Sequence, residues 1–236
     1  MLKDPLATDD GTLVDDELSL ELASGNRATT LVIACGALAR ELLATIRANR
    51  LDHLAVTALP AKLHNRPQLI PEAVRRKIHA NRDRYERIMC LYGDCGTGGL
   101  LDQVLAEEGV ERIEGAHCYA FYTGLDRFDA LMEENPAVFF LTDFLVRHFD
   151  RLVIQGLGLD RYPQLLKDYF GNYTKVVYLA QLPDATLEAK ASAAATRLGM
   201  PLEVVHTGLG ELEAFLVRAD HAQGRQDGAA DRHLLA

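Results

Sequence analysis

The chain has no excess of positive charge, no long hydrophobic run and no regular cysteine spacing, and each lack removes a class of function. Its 25 Lys and Arg stand against 34 Asp and Glu, a formal net charge of −9 over 236 residues. Such a chain has no nonspecific attraction to a phosphate backbone or an anionic lipid surface, so neither nucleic acid nor a membrane is an expected partner. No apolar stretch approaches the roughly 18–20 uncharged residues of a spanning helix. The first residues, Met1 to Asp16, are acidic and lack the basic start and apolar core of an export signal, so a cytoplasmic location is expected. The four cysteines then read as reduced thiols or metal ligands rather than as disulfides.

Both ends have little periodic apolar content. Residues 1–28, with Asp9, Asp10, Asp15, Asp16, Glu17 and Glu21, are expected to form an acidic arm, either mobile or laid over the surface. Residues 219–236, rich in Gln, Gly, Asp and Arg, are expected to form a disordered tail. Between them, residues 29–218 alternate short β-prone runs with helical patterns, which is the signature of βα units. The expected fold class is therefore α/β: a largely parallel, Rossmann-like sheet with helices on both faces. One compact unit and two similar lobes around a central crevice both fit the length.

Strands are expected at 31–34, 54–59, 87–92, 151–155, 175–180 and 202–206. Helices are expected over 36–49, from Pro71, over 100–108 before Gly109, from Gly124, over 137–149 and over 184–198 before Gly199. The segment 137–149 reads as helix because Leu141, Phe144, Leu145 and His148 share a helical face.

In a parallel sheet the ligand crevice lies beyond the carboxyl ends of the strands. Cys35, Cys95 and Cys118 each fall where a short apolar run ends, and His64 follows the run 54–59. These four form a candidate Cys3His metal set, dispersed enough that only the fold can assemble it. Three thiolates brought together repel one another and are costly to desolvate, and a bound cation removes that cost. The opposing possibility is that each is a small buried apolar side chain, as Cys90, inside the run 88–91, is expected to be.

Gly36 and Gly96 follow their cysteines directly and, with Gly98, are the candidate cofactor-binding positions, since a residue without a Cβ lets backbone N–H groups approach a sulfur or an anion. The run Gly93-Asp94-Cys95-Gly96-Thr97-Gly98-Gly99 has the strand, turn and helix order of a phosphate cradle. It lacks the Gly-Lys-Ser/Thr ending and the Gly-x-Gly-x-x-Gly spacing. A substrate carboxylate is a possible guest there, and a plain glycine turn is the alternative. Asp94 and Asp143 are the acids expected to face the crevice as catalytic groups. Arg66, Arg75 and Arg76 are candidate anion holders, and Tyr92, Tyr119 and Tyr122 flank the cysteine segments.

The combination Ala34-Cys35-Gly36, Leu63-His64-Asn65 with Pro67, Tyr92-Gly93 with Cys95-Gly96, and His117-Cys118 followed by Phe140-Leu141-Thr142 resembles one uncharacterised prokaryotic family. Its members are described only as a domain of unknown function and are often encoded beside corrinoid-dependent methyltransferases. The resemblance covers roughly residues 30–216 and implies a place in one-carbon or methylamine-type metabolism, with a corrinoid protein or its methyltransferase as the implied partner.

The leading expectation is a soluble metalloprotein, a transferase, hydrolase or lyase acting on a small polar substrate. Its centre is zinc, or alternatively a 4Fe–4S cluster, held by Cys35, Cys95, Cys118 and His64. A metal-free enzyme using two thiols as acid and base, as in cofactor-independent racemases, is the second expectation. A non-catalytic accessory protein of a corrinoid methyltransferase system is the third.

Overall fold

A computed structural model describes residues 18–21, 28–113 and 115–216 of the chain. Most of the expected acidic arm and all of the expected 219–236 tail lie outside the described residues. The one described piece of the arm is a strand, β1 (Leu18–Glu21), so the arm contributes at least an edge to the sheet.

The first sheet has five strands in the order β1-β3-β2-β4-β5, where β2 is Thr30–Cys35, β3 Leu54–Leu59, β4 Arg87–Leu91 and β5 Glu111–Arg112. All neighbours are parallel except β1, which runs antiparallel along β3 with Leu18 opposite Ala58. Every residue of β2 and of β3 is buried, which fits central strands covered on both faces and explains why their sequences read as continuous apolar runs rather than alternating ones. The helices α1 (Ala39–Ala48), α2 (Ile70–Asn81) and α3 (Leu100–Glu108) make the crossovers. Strand β3 lies on one side of β2 and β4 on the other, so the chain reverses its direction of travel across the sheet at β2. The carboxyl end of β2 is thus the topological switch point, where open α/β sheets bind ligands.

The second sheet has three parallel strands, β6 (Val138–Thr142), β7 (Lys175–Ala180) and β8 (Leu202–His206), in that order. It is joined to the first by α4 (Cys118–Thr123) and α5 (Leu125–Glu134), and it carries α6 (Asp143–Arg147), α7 (Leu166–Phe170) and α8 (Ala185–Leu198). A helical stretch over 211–216 then returns to the first core, where Leu212, Phe215 and Leu216 are buried. The α/β class with helix-flanked parallel sheets is as expected, and the sheet is divided in two. Among the described residues no helix is long and apolar enough to cross a membrane.

Two segments differ from expectation. The run 137–149 is a strand followed by a short helix, divided at Thr142, whose hydroxyl accepts the Leu145 N–H at 3.3 Å as an N-cap. The run expected as a strand, 151–155, is part of a π-helical turn over Asp150–Gln155. It buries Val153 and Ile154 against the second core, so its apolar content serves packing on one face.

Candidate functional site

Each of the four expected ligands follows one of four consecutive parallel strands. Cys35 is the last residue of β2, His64 sits in the 3-10 turn Ala61–Asn65 after β3, Cys95 lies in the turn after β4, and Cys118 opens α4 after β5. Parallel strands put all four ends on one edge of the sheet, and there Cys35 and His64 meet. Cys35 Sγ stands 3.9 Å from His64 Nδ1. Cys95 is within electrostatic reach of His64, and Cys118 of both Cys95 and Cys35. The Cys35 contact is to Nδ1, the ring nitrogen turned to the Ala61 carbonyl, so it places the thiol beside the imidazole without being a ligand-to-ligand spacing. As placed, however, no three His, Cys, Asp or Glu side chains among the described residues enclose a metal ion. Of the four, His64 and Cys118 line one cavity.

Local structure holds each donor. Cys35 caps the 3-10 turn that follows it, its Sγ accepting the Ala37 N–H at 3.3 Å. His64 Nδ1 lies 2.9 Å from the Ala61 carbonyl, to which it donates, leaving Nε2 with the free lone pair. This is the arrangement by which proteins fix a ligating imidazole. Cys95 has φ +51°, a left-handed conformation that is costly for a side chain with a Cβ, in a turn where its glycine neighbours would adopt it freely. Two backbone bonds strap this turn to the segment before Cys118: Asp94 N–H to the Gly115 carbonyl at 3.1 Å and Cys95 N–H to the Ala116 carbonyl at 2.8 Å.

Gly93 permits that approach. A Cβ there would stand 3.0 Å from the Cα of His117 and 3.1 Å from its backbone N and C. Gly93→Ala is therefore expected to push the His117–Cys118 backbone away from Cys95, costing about 1–3 kcal/mol of stability and weakening metal retention roughly tenfold or more. Metal affinity by competition with a chromogenic chelator, beside a denaturant titration, checks this; unchanged affinity with reduced stability would show that the approach serves packing alone.

The electrostatics of the thiols follow from burial. Burial pushes the Cys35 thiol up to about 11, against the lowering contacts of the Ala37 N–H and the Tyr92 hydroxyl. Cys118 is pushed well above its ordinary value by burial and then by Cys95 and Cys35. Burial acts to lower the pKa of His64, while the Cys95 thiol and the Ala61 carbonyl raise it, and the net shift is upward. Tyr92 stacks nearly parallel to the His64 ring, at 15° and 6.3 Å between centroids. Its buried hydroxyl faces the Cys35 thiol without meeting hydrogen-bond geometry, so it has no partner.

The remaining expected site residues go elsewhere. The glycine cradle is filled by the chain's own carboxylate: Asp94 accepts the Gly98 N–H at 3.1 Å, the Gly99 N–H at 2.8 Å and the Thr97 hydroxyl at 2.5 Å, with the Gly96 N–H also directed to it. Burial acts to raise the Asp94 pKa, but these donors outweigh it and hold the carboxyl below the usual range. The expectation that Gly96 and Gly98 offer N–H groups to a cofactor or substrate anion is corrected accordingly, since an internal anion already takes them. Gly36 is buried at the start of the 3-10 turn after Cys35. Asp143 is fully buried and ties the ends of β6 and β7 together. It accepts the Tyr178 hydroxyl at 2.7 Å and the Gln181 and Leu182 N–H groups at 3.1 and 3.3 Å. With its oxygens so engaged, its place is that of a structural anchor rather than the catalytic acid expected. Arg75 pairs with Glu107 at 2.6 Å and Glu108 at 2.8 Å on the outer face of α2, away from the thiols.

A cavity of about 220 Å³ adjoins the donors. The segments after β2, β3 and β5 supply one wall, including His64, Asn65 and Cys118, and the second sheet with its helices supplies the other. One further buried group was not expected. Glu41 on α1 is 4% exposed, and its Oε2 has no hydrogen-bond partner. Burial, with a smaller contribution from Asp143, raises its carboxyl to about 7, against lowering by its own backbone N–H, Arg147 and Arg40. Its field reaches Cys118 and Tyr122. The helical row Leu38, Glu41, Thr45 carries a signal for this burial, because both neighbours in the row are buried.

A protein-family model with the description "Protein of unknown function (DUF1638)" matches residues 58–216. No curated protein and no solved structure matches the chain.

Proposed function

The chain belongs to the DUF1638 family, and from that premise we propose that it is a metal-dependent enzyme whose centre is held by Cys35, Cys95, Cys118 and His64, with zinc as the first choice of ion. The observation that supports this reading is the Cys35–His64 contact at a strand edge that also carries Cys95 and Cys118, with the imidazole Nδ1–H committed to the Ala61 carbonyl. The donor set fits the ion chemically, since thiolate and imidazole are the zinc ligand types, and the carbonyl contact is the outer support such a ligand has. A zinc ion held there would lower the pKa of its thiol ligands and supply a Lewis acid at neutral pH. The chain's own residues hold the donors, stack Tyr92 on the imidazole and bound the space where a substrate meets them.

Burial weighs against the metal-free alternative. A thiol with a pKa near 11, as at Cys35, is ionised in only about one molecule in ten thousand at pH 7. Two such thiols are poor acid and base partners until a cation offsets the cost of burying their charge. A zinc–thiolate set suits thiol activation for methyl transfer, which accords with the one-carbon context and the corrinoid methyltransferase partner implied by the resemblance.

The test is elemental analysis and visible spectroscopy of anaerobically purified full-length protein. Close to one zinc per colourless chain is the expected result. Stoichiometric iron with broad absorption near ~400 nm would replace zinc by an iron–sulfur cluster. Chains without metal that also fail to take up zinc at micromolar concentration would overturn the proposal.

A further inference from the structure

The cavity beside Cys118 and His64 contains no charged side chain among its lining residues. Its far wall is Phe139, Phe144, Leu145, Val153, Leu157 and Phe170. The polar groups stand on one side, on His64, Asn65, Cys118 and Tyr119, and the hydroxyl of Thr142 is already engaged as the cap of α6. A charged group against the far wall would lose its hydration without gaining a counter-charge, which costs far more than a neutral group loses, and the polar side holds no carboxylate for an ammonium and only His64, with any metal it holds, for an anion. At about 220 Å³ the space is also smaller than the roughly 300–1,000 Å³ of sites for drug-sized ligands, which limits the occupant to about one ring or a short branched chain.

We infer that this cavity binds an uncharged, largely apolar small molecule and presents its single polar or soft donor atom to Cys118 and His64. The apolar body lies between Phe139, Phe144 and Phe170, so the chemistry of the walls replaces the small polar substrate expected from the sequence with a neutral apolar one. The binding of the apolar body depends on the walls alone. The role of the donor end rests on the metal reading above.

Three probes of one shape and different charge test this: benzyl alcohol, benzoate and benzylammonium, titrated into the metal-analysed full chain and followed by calorimetry. Benzyl alcohol is expected to bind saturably, at least about 100-fold more tightly than benzylammonium and more tightly than benzoate, whose charge only the His64 side can meet. Leu157→Trp, at a half-buried wall position, is expected to fill the space and abolish binding at unchanged metal content. Equal affinity for a charged probe, no saturable binding of benzyl alcohol, or unchanged binding in L157W would each overturn the inference. The two readings fail separately. Chains that hold no metal, take up no zinc and still select benzyl alcohol overturn the metal centre and support the cavity; metal-loaded chains without selection do the reverse.

Discussion

Replacing Cys35, Cys95 or Cys118 by serine is expected to reduce bound metal from about one ion per chain to under a tenth of that, while Cys90→Ser keeps its metal and loses stability. Loss of an outer-sphere support alone weakens metal sites by about 10–100-fold, so loss of a ligand should exceed that. The contrast rests on placement. Cys35, Cys95 and Cys118 stand at the strand ends around His64, whereas Cys90 is fully buried inside β4, with its backbone paired to Ile33 of β2. Burial pushes the Cys90 thiol up to about 12, the signature of a small apolar core group. A serine there would bury a hydroxyl that has to find a new partner, at about 1–3 kcal/mol. Metal per folded chain, measured after size-exclusion chromatography, separates the two effects because unfolded material is removed first. Equal metal content in all four variants would sink the ligand assignment. Loss from two thiol variants but not the third would reduce the set to the two that matter.

The strand-end positions of the thiols were legible in the sequence because parallel strands betray themselves as fully apolar runs, and a residue just beyond such a run has to lie on the ligand edge. That logic located Cys35, His64 and Cys95 without any local metal motif, whereas Cys118 follows only the two-residue strand Glu111–Arg112, which is not an apolar run. It misassigned Asp94 because it treats each polar residue after a strand as facing outward. Asp94 and Thr97 are three residues apart in a glycine turn, a spacing that lets the carboxylate gather the turn's own N–H groups, and the structure shows that it does. The run 151–155 reads as a strand because Leu152, Val153 and Ile154 are aliphatic and two of them β-branched. Periodicity over five residues cannot distinguish that from one buried face of a π turn. The division at Thr142 was hidden for the complementary reason, since apolar residues flank it on both sides and only Thr142 and Asp143 mark the change. Nothing in the linear order could show that the second sheet walls an apolar cavity beside Cys118 and His64, because its walls join residues from 37 to 170.

Glu41→Gln is expected to make the protein more stable than the natural chain at pH 8 and to lose that advantage by pH 4. The folded carboxyl titrates at about 7 because burial disfavours its charged form, against an ordinary value of 4.5. Raised in the folded state, the group holds its proton more tightly when folded than when unfolded. Its favourable contribution is thus fully present below pH 4.5, declines as the pH rises, and is gone above about pH 7. A shift of roughly 2.5 units corresponds to about 3 kcal/mol across that window. A neutral amide at position 41 does not titrate, so the stability difference between variant and natural chain isolates this carboxyl from every other titrating group. Denaturant titrations at half-unit intervals from pH 4 to pH 8 provide the curve, and a difference that stays flat would show that Glu41 is not held in its protonated form. The same variant carries information about the thiols. The field of Glu41 raises the Cys118 pKa, so removing its charge should favour the Cys118 thiolate and leave metal retention equal or stronger at pH 8. Weaker retention in Glu41→Gln would instead mean that the unpartnered Oε2 supports the donors directly, and would move this carboxyl from the surroundings of the site into it.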